Sequence, residues 1–289
     1  MSLAIVFKGT EGIVLAADSR VTLPQQIPVG PGQTACIFAT YDNATKLLRV
    51  KSQTHVGALT YGLGAIGQQK DPRTAHSYIP EFEAELAKKY PVEISPEGNP
   101  SQPRLSVDDF AKELSAFFVA KWNEANMTPE VQQDMVFFVA GYDPKSAYGK
   151  VFEFAIPSRP EPQEKMAGLF GALWGGQTEI VTRLLNGYDP GIPMAVRQIL
   201  NVPLPEGAPP AEAEHLEAQL RNRFTARIPW QFLPLQDCVD LSVFVIRATI
   251  TMQKWSVDIR GVGGSIDVAT ITQANGFDSV QQKTIKGER

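Results

Sequence analysis

Short, uninterrupted apolar runs open the chain, and segments with helical spacing follow. Leu3–Phe7 is bounded at once by Lys8 and Gly9 and predicts a buried strand. Gly9–Gly12 supplies a hairpin turn, and Ile13–Ala17 (IVLAA) the returning strand, which ends at Asp18 and Ser19. Residues 23–35, with three prolines and two glycines, predict an irregular excursion. Strand pattern resumes over Lys46–Val50 and Val56–Tyr61. Pro80–Tyr90 then spaces apolar residues among Glu and Lys as a helix does. Over Ser106–Asn126 a capping serine, an acidic first turn and an apolar face predict a stronger helix.

Between those helices Ser95–Pro103 reads as a loop. Val136–Ala140 and Val151–Ala155 predict two strands joined as a hairpin. Leu169–Trp174 is a further apolar run, and Gln177–Asn186 a short helix stopped by Gly187. Residues 189–233 are rich in proline and carry one polar helix, Ala211–Arg223, with too little apolar surface for a core of their own. Gln236–Met252 predicts a buried helix, and Asp267–Thr272 a closing strand. Strands alternating with pairs of helices predict an α+β fold, a four-layer αββα sandwich of two antiparallel sheets between helical layers. The expectation is one domain over residues 1–289, with insertions near 23–35, 91–105 and 189–233.

Composition narrows the partners. Lys and Arg number 27 against 31 Asp and Glu, a net charge of −4, and no basic run stands out. That argues against nucleic acid as a partner. No apolar segment approaches the roughly 20 residues needed to span a bilayer, and the start is not a signal peptide. A cytoplasmic protein with Cys36 and Cys238 as reduced thiols is expected.

The motif Gly62-Leu63-Gly64-Ala65-Ile66-Gly67 fits a dinucleotide fingerprint in spelling only: Gln68–Pro72 follows, with Pro72 where a helix should open. A strand-end turn is the expected reading. His55, His76 and His215 show no metal-ligand spacing with the cysteines, so neither a metal nor an organic cofactor is implied. The N-terminus offers chemistry instead. Ser2 is small enough for Met1 to be removed, and an exposed α-amine, with an ordinary pKa of about 7.7–8.0, accepts a proton near neutral pH. The same residue then carries both a nucleophilic hydroxyl and its base. A Met-Ser start is common, so this acquires meaning only from other residues.

Those residues carry a resemblance. Glu11–Thr22 (EGIVLAADSRVT) closely resembles the start of proteasome β-type subunits, in the N-terminal nucleophile hydrolase superfamily. Lys46 in NATKLLRV, Ala58–Gly67, Val139–Tyr142, Leu184–Tyr188 and Ser265–Ile271 follow in the same order. The resemblance implies that Ser2 is the nucleophile in register with Asp18, that Lys46 beside it lowers the hydroxyl's effective pKa, and that Asp18 fixes Lys46. It further implies Gly62 near the oxyanion and Asp258 as the second family aspartate, aligned within one residue. It departs from the family in having serine where threonine is usual, and in lacking a serine in the stretch Trp174–Thr178. The implied activity is hydrolysis of peptide or amide bonds in a peptide or protein substrate by a ring-shaped homo-oligomer. Any ATPase partner is left unspecified. Two alternatives stay open: peptide acyl transfer on the same site, and a catalytically silent ring-forming scaffold.

Overall fold

Alternation explains why the first strands are apolar without interruption. In the computed structural model, which describes residues 2–30, 32–67, 71–94, 100–127, 133–189, 191–199, 211–257 and 259–284, every residue of β1 (Leu3–Lys8) and β2 (Ile13–Asp18) is buried. Successive side chains of a strand point to opposite faces. Leu3, Ile5 and Phe7 therefore enter one core and Ala4 and Val6 another. A strand covered on both sides reads as a continuous apolar run.

The remaining strands, in chain order, are β3 (Val21–Gly30), β4 (Gln33–Tyr41), β5 (Leu47–Arg49), β6 (Val56–Gly62), β7 (Ala65–Ile66), β8 (Arg73–Thr74), β9 (Glu93–Ile94) and β10 (Pro100–Ser101). After them come β11 (Met135–Gly141), β12 (Lys150–Ile156), β13 (Arg159–Lys165), β14 (Gly171–Gly176), β15 (Ile266–Thr272) and β16 (Gly276–Gln281). Two five-stranded antiparallel sheets result, ordered β14-β1-β2-β15-β16 and β13-β12-β11-β6-β5. Ala4, Val6, Leu15 and Ala269 of the first share an apolar cluster with Leu59, Phe138 and Ala140 of the second.

Six α-helices lie among the described residues: α1 (Ala75–Lys89), α2 (Val107–Glu124), α3 (Glu179–Asn186), α4 (Ile192–Ile199), α5 (Ala211–Phe224) and α6 (Leu235–Trp255). Phe82 of α1 and Phe110, Phe117 and Phe118 of α2 join Phe137 and Phe154 of the second sheet in an aromatic core. Val181 and Leu185 of α3 and Val245 and Ile246 of α6 cover the outer face of β1 and β2. The Ser106 hydroxyl accepts the Asp109 N–H at 3.0 Å, capping α2, a device that contributes about 1 kcal/mol. No helix among the described residues is long and apolar enough to cross a membrane.

The mixed α and β character agrees with the sequence reading, and several elements differ. The described part of residues 23–35 is not irregular: 23–30 and 33–35 are strand, within a β3–β4 hairpin registered from Val21↔Tyr41 to Gly30↔Gln33. Its prolines are tolerated because each strand of a two-stranded ribbon has a free edge. Helix α1 begins five residues before Pro80 and carries that proline inside it. Strand β13 (RPEPQEK) and helix α4 were not foreseen, because one is a polar edge strand and the other lies in a proline-rich stretch. The central part of the 95–103 loop, residues 95–99, lies outside the described residues, as do residues 190 and 200–210 of the 189–233 insertion.

Candidate active site

Strand β1 begins immediately after Ser2, so residue 2 is fixed by the sheet itself. The Leu3 N–H donates to Asp18 Oδ1 at 2.9 Å, and the Ser2 carbonyl accepts the Gln177 N–H at 2.8 Å. Gly176, at φ +96°, presses its backbone against that carbonyl; a Cβ there would stand 1.9 Å from the Ser2 oxygen. Glycine alone fits a left-handed residue approached this closely.

Asp18 ends β2 and is 1% exposed. Its Oδ1 also accepts from Lys46 Nζ at 2.7 Å, while Oδ2 accepts the backbone N–H groups of Arg20 at 3.1 Å and Gly263 at 2.9 Å. Four donors thus satisfy a buried carboxylate, the condition under which a buried charge is tolerated. Lys46, 5% exposed, enters from the residue before β5 and gives a second hydrogen bond to the Arg20 carbonyl at 2.7 Å. Burial pushes its ammonium below the ordinary lysine value, Asp18 pulls the other way, and the Lys283 charge adds to the drop. Lys283 belongs to a second buried ion pair, with Asp267 of β15, in which both side chains are under one-tenth exposed.

Ser2, Lys46 and Gly62 line one cavity of about 240 Å³, together with Thr22, Tyr61 and Gln133. Gly62 sits there at φ +84°, and a Cβ would lie 2.3 Å from the Asp134 carbonyl. The Thr22 hydroxyl in the cavity wall is buried with no hydrogen-bond partner among the described residues. Buried polar atoms in native proteins are nearly always paired, so this one is available to a polar group entering the cavity. A larger cavity of about 550 Å³ lies among β14, α3 and α5. It brings together no nucleophile with a buried ion pair, so the chemistry is assigned to the smaller one.

Of the five sequence-derived site residues, Ser2, Lys46 and Gly62 line this cavity, Asp18 bonds Lys46 and the Leu3 N–H behind it, and Asp258 lies outside the described residues. Sequence reasoning missed several participants, Arg20 and Thr22 among them. Gly176 and Gln177 hold the Ser2 carbonyl, and Gly263 binds Asp18. Gln253 of α6 donates to the Gln177 side chain at 2.8 Å and accepts the Val262 N–H at 2.9 Å, tying the two loops together. The paired glycines of Trp174-Gly175-Gly176-Gln177 were the available signal; a backbone N–H such as that of Gly263 leaves none.

Comparison with known proteins defines the class as one of fold. No protein-family model matches the chain, and no curated protein does. Among solved structures it is similar to Anbu, a (Gly-1) mutant from Hyphomicrobium sp. strain MC1, at 12% identity and a TM-score of 0.50, over 98% of this chain and 86% of that one. The chain therefore has a proteasome-like fold. The resemblance to proteasome β-type subunits is corrected by this finding: at 12% identity the likeness to Anbu is one of fold, and it does not place the chain among the β subunits.

Proposed function

We propose that this chain hydrolyses peptide or amide bonds with Ser2 as an N-terminal nucleophile, exposed by removal of Met1. The observation that carries the reading is the buried Lys46–Asp18 pair beside Ser2 on one cavity. A lysine buried to this degree needs a reason, because desolvating a charge costs several kcal/mol before its partner offsets it.

The α-amine of Ser2 takes the hydroxyl proton as Oγ attacks the carbonyl carbon. Negative charge moves to the carbonyl oxygen, which this reading places against the backbone N–H of Gly62. The amine then returns its proton to the departing nitrogen, the C–N bond breaks, and an acyl ester remains on Ser2. Water, deprotonated by the same amine, attacks the ester; the acid is released and Oγ regains its proton. Lys46⁺ favours the ionising hydroxyl and keeps the amine neutral through like-charge repulsion, and Asp18 holds Lys46 in place. The orphaned Thr22 hydroxyl is free to bond an extended substrate.

The same reading takes the architecture as a four-layer αββα sandwich in one domain over residues 1–289, assembled into a closed ring of identical subunits around peptide or protein substrate. N-terminal sequencing with intact mass, paired with turnover of fluorogenic peptide amides, tests it. The expected result is a chain beginning at Ser2 whose turnover disappears in Ser2→Ala; undiminished turnover in that variant overturns it.

A further inference from the structure

The β3–β4 hairpin is anomalous for a surface element. From Val21 to Tyr41 it carries no Asp, Glu, Lys, Arg or His, in a chain whose composition is 20% charged. It forms a two-stranded sheet of its own. Beyond Thr22, both of its faces are open among the described side chains: Ile27, Val29, Ile37, Phe38 and Tyr41 are between 37% and 62% exposed. A lone two-stranded ribbon is marginally stable in water, so an arm of this kind calls for a cover.

Its two edges differ. Strand β3 contains Pro24 and Pro28, opposite Phe38 and Thr34. Proline offers no N–H to a neighbouring strand, and prolines on an edge are a standard guard against unwanted pairing. Strand β4, Gln33–Tyr41, has nine residues, no proline and no charge, and its outer edge is unpaired among the described residues. An unguarded, apolar edge roughly 30 Å long is a template for another strand.

We propose that β4 pairs antiparallel with β4 of a second copy of this chain, making a four-stranded sheet ordered β3-β4-β4-β3 across a two-fold axis. Two observations select a second copy over another occupant. The edge is self-complementary, and isologous pairing closes the assembly, leaving only the proline-guarded β3 edges outside. The chain also carries a net charge of −4, so copies repel; the uncharged arm is a surface on which two of them meet without opposing like charges. None of this uses Ser2, so the pairing and the hydrolase reading stand or fall separately.

Cys36, exposed near the middle of β4, is the reporter, and Cys238 is buried. A two-fold axis near Ile37 brings the two Cys36 side chains within roughly 8 Å, the reach of diagonal cross-strand neighbours. A short bis-maleimide should therefore join wild-type chains through Cys36, and Cys36→Ser should abolish the product. In sedimentation velocity, the Ile37→Lys, Phe38→Lys double variant should have half the wild-type particle mass with an unchanged far-UV spectrum. Absence of the Cys36–Cys36 product from the wild-type protein overturns the proposal on its own. So does unchanged mass in the folded double variant. Loss of mass without a Cys36 cross-link in the wild type assigns the arm to a different surface and overturns the two-fold pairing.

Discussion

Two adjacent stretches of this chain break the ordinary partition of residues in opposite senses. Residues 2–20 bury what usually stays in water: Asp18 and Ser19 are almost fully enclosed, and Asp18 meets Lys46 in the interior. Residues 21–41 expose what usually hides: Ile37, Phe38 and Tyr41 stand in solvent on a ribbon without charge. The first stretch is wired from within, with four donors on the Asp18 carboxylate and the Ser2 carbonyl held by the Gln177 N–H. The second is held to the body chiefly at its base, where the Arg20–Asp42 ion pair closes the hairpin. Buried charge needs internal satisfaction, whereas exposed apolar surface needs an external partner. The contrast therefore separates a site that works within one chain from a surface that works between chains.

The sharpest break in that contrast comes from Ser2. Ser2→Ala removes the nucleophile and should lower amide turnover by at least about a thousandfold, while Ser2→Thr should retain part of it. Both should leave the mass of the assembly untouched in sedimentation. Next in size is Asp18→Ala, which leaves the Lys46 ammonium buried without its carboxylate. Removing one partner of a buried pair costs about 3–5 kcal/mol, to be read as a lowered urea midpoint at constant slope. Gly176→Ala should follow. Its Cβ would collide with the Ser2 carbonyl at a left-handed backbone position, costing about 1–3 kcal/mol and reducing turnover by displacing Ser2. The arm variant Ile37→Lys, Phe38→Lys should change stability of the single chain least, by under about 0.5 kcal/mol per exposed site, read by the same denaturation, while abolishing Cys36 cross-linking.

A pH profile refines the first half of the comparison. On the acid side, turnover rises as the Ser2 amine loses its proton. On the alkaline side it falls when Lys46 loses its own, since the proposed mechanism needs the ammonium. Burial lowers Lys46 from its ordinary value of 10.5, so the alkaline limb should fall below that pH. A limb at or above 10.5 would remove Lys46 from the mechanism.

Some of this was legible in the sequence, for physical reasons. The doubly buried strands β1 and β2 leave continuous apolar runs, and a carboxylate and a lysine at strand ends are visible as single letters. Ser106 and Gly187 mark helix boundaries because capping chemistry is local. The arm was not legible, since the turn signals of Pro24, Pro28, Gly30 and Gly32 outweighed the apolar run Ala35–Ala39 that follows them. Strand β13 escaped because RPEPQEK is a polar edge strand with a single buried position. The backbone donors from Gly263 and Gln177 depend on loops folded together from distant parts of the chain, and no residue type announces them. Assignment to proteasome β-type subunits failed differently: short local motifs pointed to one branch, whereas the likeness found is one of fold at 12% identity.

The central claim is that Ser2 attacks with its own amine as base, and covalent labelling tests it most directly. A protein matured to begin at Ser2 is treated with an epoxyketone or β-lactone probe and digested, and the adduct is located by peptide mass spectrometry. The account predicts modification at Ser2, and its loss both in Ser2→Ala and in a form that keeps Met1. Modification at any other residue, or undiminished labelling of the form that keeps Met1, would contradict it.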